Sequence, residues 1–157
     1  MATPVSLIDL LPTVLDLLGV PDARRADLDG RSLLPVIAGE GADEPVFSEY
    51  HLEKVWAPCF MIRRGRWKYV YVHGHDRQLF DLQEDPNEWT DLSGRPEHAA
   101  IEAELHALLL DRFDPEALAA RGAASIPRRV IVAEAMRRND THWDYTPVFD
   151  GTHRYVR

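Results

Sequence analysis

Pro58-Cys59-Phe60-Met61-Ile62-Arg63, the connection Arg64-Gly65-Arg66, and Trp67-Lys68-Tyr69-Val70-Tyr71-Val72 form the stretch whose reading decides the fold. Aromatic and β-branched residues crowd two short runs, and a glycine-bearing connection separates them, which is the pattern of a β-hairpin. A third run, Gln78-Leu79-Phe80-Asp81, closes at Glu84-Asp85-Pro86, and Val46-Phe47-Ser48-Glu49-Tyr50 comes before the first. Together they predict a small antiparallel sheet of about four strands. Such a sheet is stable only if one of its faces is covered. The fold class is therefore α+β: a sheet packed against a helix, with flanking helices and an irregular aromatic C-terminal tail.

Outward from the sheet, the cover comes from either side. Downstream, Arg95-Pro96 opens an amphipathic helix to about Phe113, with Ile101, Leu105, Leu108, Leu109 and Arg112 on or beside one stripe and Glu102, Glu104 and Asp111 off it. Asp114-Pro115 is an N-cap with a proline at the first helical position, so a second helix follows to about Arg121. Gly122 and Pro127 are expected to interrupt it, with a further helix from Pro127 to Arg138. Upstream, Ser6-Leu7-Ile8-Asp9 has the shape of a capping box, and Leu7, Leu10, Leu11, Val14, Leu15 and Leu18 share a helical face until Gly19 and Pro21. Pro12 fits only in the first turn of that helix. So many leucines need a partner surface, and one small sheet hardly supplies it; the opening residues predict a piece of something larger. Asn139 to Arg157 follows neither period and carries Trp143, Tyr145, Phe149 and Tyr155, rings that must bury on the chain's own body or on a neighbour.

Bulk properties exclude several functions. The 157 residues can build one modest core, or one small domain plus an appendage. A formal net charge of −8 argues against nucleic acid and anionic membranes as partners and favours cationic ligands. The one cysteine, Cys59, permits no internal disulfide and no cysteine zinc cluster, and it fits a reducing, cytoplasmic setting. The longest apolar run is broken by Asp16 and Gly19, too short for a membrane span.

Four stretches taken together resemble the C-terminal part of the sulfatases, within the alkaline phosphatase superfamily. They are Val5-Ser6-Leu7-Ile8-Asp9-Leu10-Leu11-Pro12-Thr13; Asp29-Gly30-Arg31-Ser32-Leu33-Leu34-Pro35; Ile62-Arg63-Arg64-Gly65-Arg66-Trp67-Lys68-Tyr69; and Gln78-Leu79-Phe80-Asp81-Leu82 with Asp85-Pro86-Asn87-Glu88. Glu49-Tyr50-His51-Leu52-Glu53, and a tail with Trp143-Asp144-Tyr145-Thr146-Pro147, are similar to the choline-sulfatase subfamily. The resemblance implies three parts. Residues 1–40 would be the last helix and linker of an α/β sulfatase catalytic domain, residues 41–113 the antiparallel-sheet subdomain with its packing helix, and residues 114–157 choline-sulfatase-like C-terminal helices and tail.

For activity, the resemblance implies a sulfuric ester hydrolase in which this chain supplies pocket wall and oligomer contacts and is inactive alone. The full-length family enzyme would use a formylglycine beside Ca²⁺ or Mg²⁺, and neither group is expected on this chain. Cys59-Phe60-Met61-Ile62-Arg63 has the cysteine and arginine of the formylglycine motif at the right separation, but Met61 replaces the proline and the run reads as a core strand. Asp81, Glu84, Asp85 and Glu88 read as a solvated strand exit, and His73-Gly74-His75 as an exposed turn. A quaternary ammonium is held by aromatic faces and a nearby carboxylate. Trp143, Asp144, Tyr145 and Glu53 are accordingly the candidate choline cage, against the plainer reading that the tail rings only anchor it. The implied partners are a neighbouring protomer reached through the tail, the α/β catalytic domain, and a small cationic sulfate ester such as choline sulfate. A phosphonate or phosphate monoester hydrolase of the same superfamily, and a non-catalytic assembly module, are the alternatives.

Overall fold

The computed structural model describes residues 3–21, 27–41, 44–51, 55 and 57–141. Two units divide the chain, residues 1–119 and 120–157. In the first, the expected sheet is present: β1 (Val46–Tyr50), β2 (Cys59–Arg64), β3 (Trp67–Val72) and β4 (Arg77–Asp81), antiparallel throughout and in chain order. Arg64 pairs with Trp67 across a turn through Gly65 and Arg66. Gly65 has φ +54°, the left-handed conformation a tight hairpin asks for and glycine adopts without strain.

The pleat sorts the sheet into two faces. Phe60, Ile62, Tyr69 and Leu79 are buried on one, where helix α3 (Ala99–Arg112) lays Leu105 and Leu109 against them. Phe47, Trp67, Tyr71, Ile101 and Leu108 close the edges of this core. Glu102 departs from the expected pattern. It stands off the apolar stripe in sequence yet is buried, because its carboxylate accepts the Gly94 backbone N–H at 2.8 Å and pairs with Arg77 at the start of β4. The other face carries Cys59, Met61 and Arg63 of β2 beside Val72, Val70 and Lys68 of β3.

Ahead of the sheet, a 3₁₀ turn (Leu7–Asp9) leads into α1 (Leu10–Leu17), which puts Pro12 in the first turn as its geometry requires. A short helix, α2 (Leu34–Ile37), follows. What holds α1 to the following segment is polar. The Asp9 carboxylate accepts the N–H of Ser6 at 2.9 Å and of Arg31 at 3.0 Å; Thr13 Oγ1 accepts the N–H of Leu33 at 2.9 Å; and Ser32 donates to Asp16 at 2.6 Å. The Asp-Gly-Arg-Ser stretch thus serves as a strap across the helix start. Gly30 lies so close to it that a Cβ there would stand 2.1 Å from the Ile8 carbonyl oxygen.

Helix α4 (Pro115–Arg138) starts as expected, with Asp114 accepting the Ala117 N–H at 2.9 Å. It does not break at Gly122 or Pro127. Pro127 lies inside one continuous helix, and the turn ahead of it is made of small residues, Gly122 to Ser125, where the Ser125 hydroxyl donates to the Gly122 carbonyl at 2.6 Å. A back-bond of this kind opens a helix slightly, which makes room for the ring. From Ala120 onward the helix belongs to the second unit, and Ile126, Val130, Ile131 and Val132 on it are exposed.

Replacing Gly30 by alanine forces backbone apart, so the variant is expected to lose about 1–3 kcal/mol of stability. Gly122→Ala, at an open helical position, is expected to gain about 0.5–1 kcal/mol. Urea unfolding of the two variants beside the parent checks both signs.

Candidate functional site

The four residues proposed for a choline cage, Asp144, Trp143, Tyr145 and Glu53, lie outside the described residues, as does Trp56. The other candidates fall on the sheet and its turns. Cys59 is half-buried at the start of β2 and donates its thiol hydrogen to the Ala57 carbonyl at 3.5 Å. It sits on a strand with Met61 where the formylglycine motif has proline, so the segment does not fit that modification.

The acidic turn after β4 is occupied by structural work. Asp81 takes the Arg66 guanidinium in a two-pronged contact and accepts the Gln83 N–H at 3.1 Å. Arg66 thereby holds the Asp81 carboxyl below its ordinary range, against the opposing effect of burial. Asp85 accepts the Thr90 N–H at 2.7 Å, Glu88 pairs with Lys68 at 2.5 Å, and Asp91 accepts the N–H of Leu79 at 3.0 Å and of Ser93 at 2.9 Å. These carboxylates shape a loop. Among the described residues, no three His, Cys, Asp or Glu side chains converge as a metal site would need.

Among the described residues of the first unit, two clefts can be traced. One, about 430 Å³, lies between the 3₁₀ turn, β1 and the end of α3, and its charged rim is tied by Arg112 to Asp29 at 3.3 Å and Arg31 to Glu44 at 3.6 Å. The other, about 520 Å³, is lined by Tyr69, Tyr71, His75, Arg77, Glu102 and His106. The Tyr69 hydroxyl and His106 Nδ1 share a hydrogen bond of 3.1 Å, and burial, reinforced by the nearby Glu102, pushes the Tyr69 phenol up to about 12. A phenol that stays protonated at neutral pH is a poor nucleophile. The His73-Gly74-His75 run is the turn between β3 and β4, as read from sequence, and His73 there bridges Tyr71 at 3.3 Å and Glu116 at 3.1 Å.

The least satisfied surface is apolar. Leu7 is 85% exposed and Leu18 is 73% exposed, and Leu10, Leu11, Val14 and Leu17 are exposed beside them. The buried positions of the helix and its lead-in are Asp9, Pro12 and Thr13. The apolar stripe of α1 therefore points away from the contacts that hold it, as a docking face does.

The sequence profile of the family described as N-sulphoglucosamine sulphohydrolase, C-terminal, matches residues 2–114. The chain belongs to this sulfatase C-terminal family. A choline-sulfatase of Rhizobium meliloti (strain 1021) is 39% identical over 160 residues, covering 99% of this chain and 31% of the relative. A 2-O GAG sulfatase of known structure is 34% identical with a TM-score of 0.55, over 76% of this chain and 26% of its own. The phosphonate monoester hydrolase of Agrobacterium radiobacter is 28% identical with a TM-score of 0.50, over 73% of this chain and 24% of its own. The chain thus spans about a third or less of the length of the relatives it matches, and the part it matches is the C-terminal region of a sulfatase. As a sulfatase C-terminal region it has an α+β fold, and no helix among its described residues is long and apolar enough to cross a membrane.

Sequence reasoning missed Glu102, Tyr69 and His106 as a linked group. A buried glutamate gives no periodic signal, although Arg77 at the head of β4 is the complementary charge that could have pointed to it. Tyr69→Phe is expected to cost about 1 kcal/mol at pH 7, for the lost hydrogen bond to His106. Because the folded phenol ionises only near 12 while the unfolded one ionises near its usual value of 10, the parent loses stability as pH rises through that interval and the variant does not. Chemical unfolding at pH 7 and at steps between 10 and 12 should show the gap narrowing and then reversing.

Proposed function

We propose that this chain works as the C-terminal part of a choline-sulfatase-like sulfate ester hydrolase, as one wall of the substrate pocket and as a contact between protomers. One observation carries the reading. The family profile stops at residue 114, whereas the similarity to the Rhizobium choline-sulfatase takes in 99% of the chain and so extends over the helix and tail beyond.

In this reading the leucine face of α1 seats against the α/β part of the enzyme. Burying a leucine there is worth about 1.5–3 kcal/mol per side chain, enough to fix the subdomain firmly. The formylglycine and the Ca²⁺ or Mg²⁺ belong to that α/β part, where they would supply the nucleophile and the Lewis acid for sulfate-ester cleavage. This chain contributes recognition of the alcohol end of the substrate. A trimethylammonium head cannot donate a classical hydrogen bond, so it is selected by ring faces and a negative charge, the residue types of Trp143, Asp144, Tyr145 and Glu53. The tail that carries the first three would reach the pocket of a neighbouring protomer.

The likeness to a phosphonate monoester hydrolase keeps a second reading in play, in which the same subdomain serves a phosphorus ester. That enzyme would have no use for a cation-binding cage. The two readings separate on one variant in a full-length enzyme carrying this chain. Asp144→Asn should raise KM for choline sulfate about tenfold, the loss of roughly 1–2 kcal/mol of cation attraction, while KM for a neutral aryl sulfate changes less than twofold. Equal effects on both substrates, or turnover of phosphonate esters in preference to sulfate esters, would remove the choline assignment.

A further inference from the structure

Four cations stand in the β2–β3 hairpin, at Arg63, Arg64, Arg66 and Lys68. Three of them have carboxylates: Arg64 meets Glu104, Arg66 meets Asp81 and Glu84, and Lys68 meets Glu88. Arg63 differs. Its Nε is buried and has no hydrogen-bond partner among the described residues. A buried donor left unpaired is rare in a native protein and asks for an acceptor from somewhere.

Position says where that acceptor comes from. In the register Arg63 lies opposite Lys68 on one side and Val46 on the other. Phe60 and Ile62 point into the α3 core and Arg64 reaches Glu104 on α3, so the pleat turns Arg63 to the helix-free face with Cys59 and Met61. Two cations directly opposite one another repel. Glu88 offsets one of them, and the second has no anion among the described residues. The residues beside it, Val46, Met61 and Val70, are half-buried and apolar, a floor that keeps water from solvating a guanidinium once it is covered.

We propose that Arg63 is a docking anchor, a planar donor that receives a carboxylate from the α/β part of the sulfatase polypeptide when that part covers the helix-free face of the sheet. The inference rests on the reading that this chain works joined to such a part. That part is chosen as occupant because the choline-sulfatase relative is matched over only 31% of its length, so most of such an enzyme is available to cover the face. A carboxylate is chosen because a fixed fork of N–H donors beside a second cation is neutralised in full only by a bidentate anion.

The test joins this chain to the Rhizobium choline-sulfatase in place of that enzyme's matching C-terminal third, with the 157-residue chain alone as control. Cys59, on the same face and the chain's single cysteine, reports covering through alkylation followed by mass spectrometry. Alkylation should be about tenfold slower in the joined protein than in the chain alone. Arg63→Met should lower the Tm of the joined protein by about 2–4 °C and leave that of the chain alone within about 1 °C, with Arg63→Lys in between. Protected Cys59 with a Tm indifferent to Arg63→Met would remove the anchor and leave the joined reading standing. Unprotected Cys59, or a joined protein that never folds, would remove the joined reading and the anchor with it. Equal Tm losses in both forms would make Arg63 an internal contact. Cys59 protection that grows with concentration of the chain alone would assign the face to a second copy. A rise in the chain's Tm with sodium sulfate that Arg63→Met abolishes would assign it to a free oxyanion. Each of these three also overturns the proposal.

Discussion

One helix can cover one face of a sheet, and this constraint organises the molecule. Leu105 and Leu109 of α3, both without exposure, close over Phe60, Ile62, Tyr69 and Leu79, and burial at that interface is what makes four short strands a stable body. Among the described residues, no helix meets the opposite face. Its centre is apolar and half-buried, and its end carries the Arg63 and Lys68 pair. A sheet finished on one side and unfinished on the other is consistent with a subdomain whose family members are several times longer.

The same economy explains α1. A surface helix ordinarily buries its leucines and wets its polar residues. Here Asp9 and Thr13 are buried and Leu10, Leu11 and Leu17 are exposed, because the carboxylate and hydroxyl bind backbone N–H groups of the strap that begins at Asp29. Polar bonds fix the helix in place and leave its adhesive side free. The arrangement positions an apolar stripe without using it up.

Much of this was legible in the residues. The strands fall within a residue of their expected bounds, since alternating β-branched and aromatic positions in short runs admit little else, and Pro12, Asp114 and Gly65 act as their local chemistry requires. The exposed leucines of α1 were foreseen from their number. Other features were hidden for physical reasons. Pro127 marks a break in any propensity scale, but the turn ahead of it is made of residues small enough to let the helix continue. Glu102 is charged and so reads as solvent-facing, until Arg77 and the Gly94 amide turn it inward. The proposed cage residues are legible by type alone, and their placement lies outside the described residues.

The order of the strands has a kinetic meaning. With β1, β2, β3 and β4 adjacent in the sheet as they are in the chain, each pairing closes a short loop, and the longest connection, from Tyr50 to Cys59, is only a few residues more than a hairpin turn. Low contact order of this kind favours rapid assembly. A sheet so ordered can form strand by strand, each new strand pairing with the one made just before it.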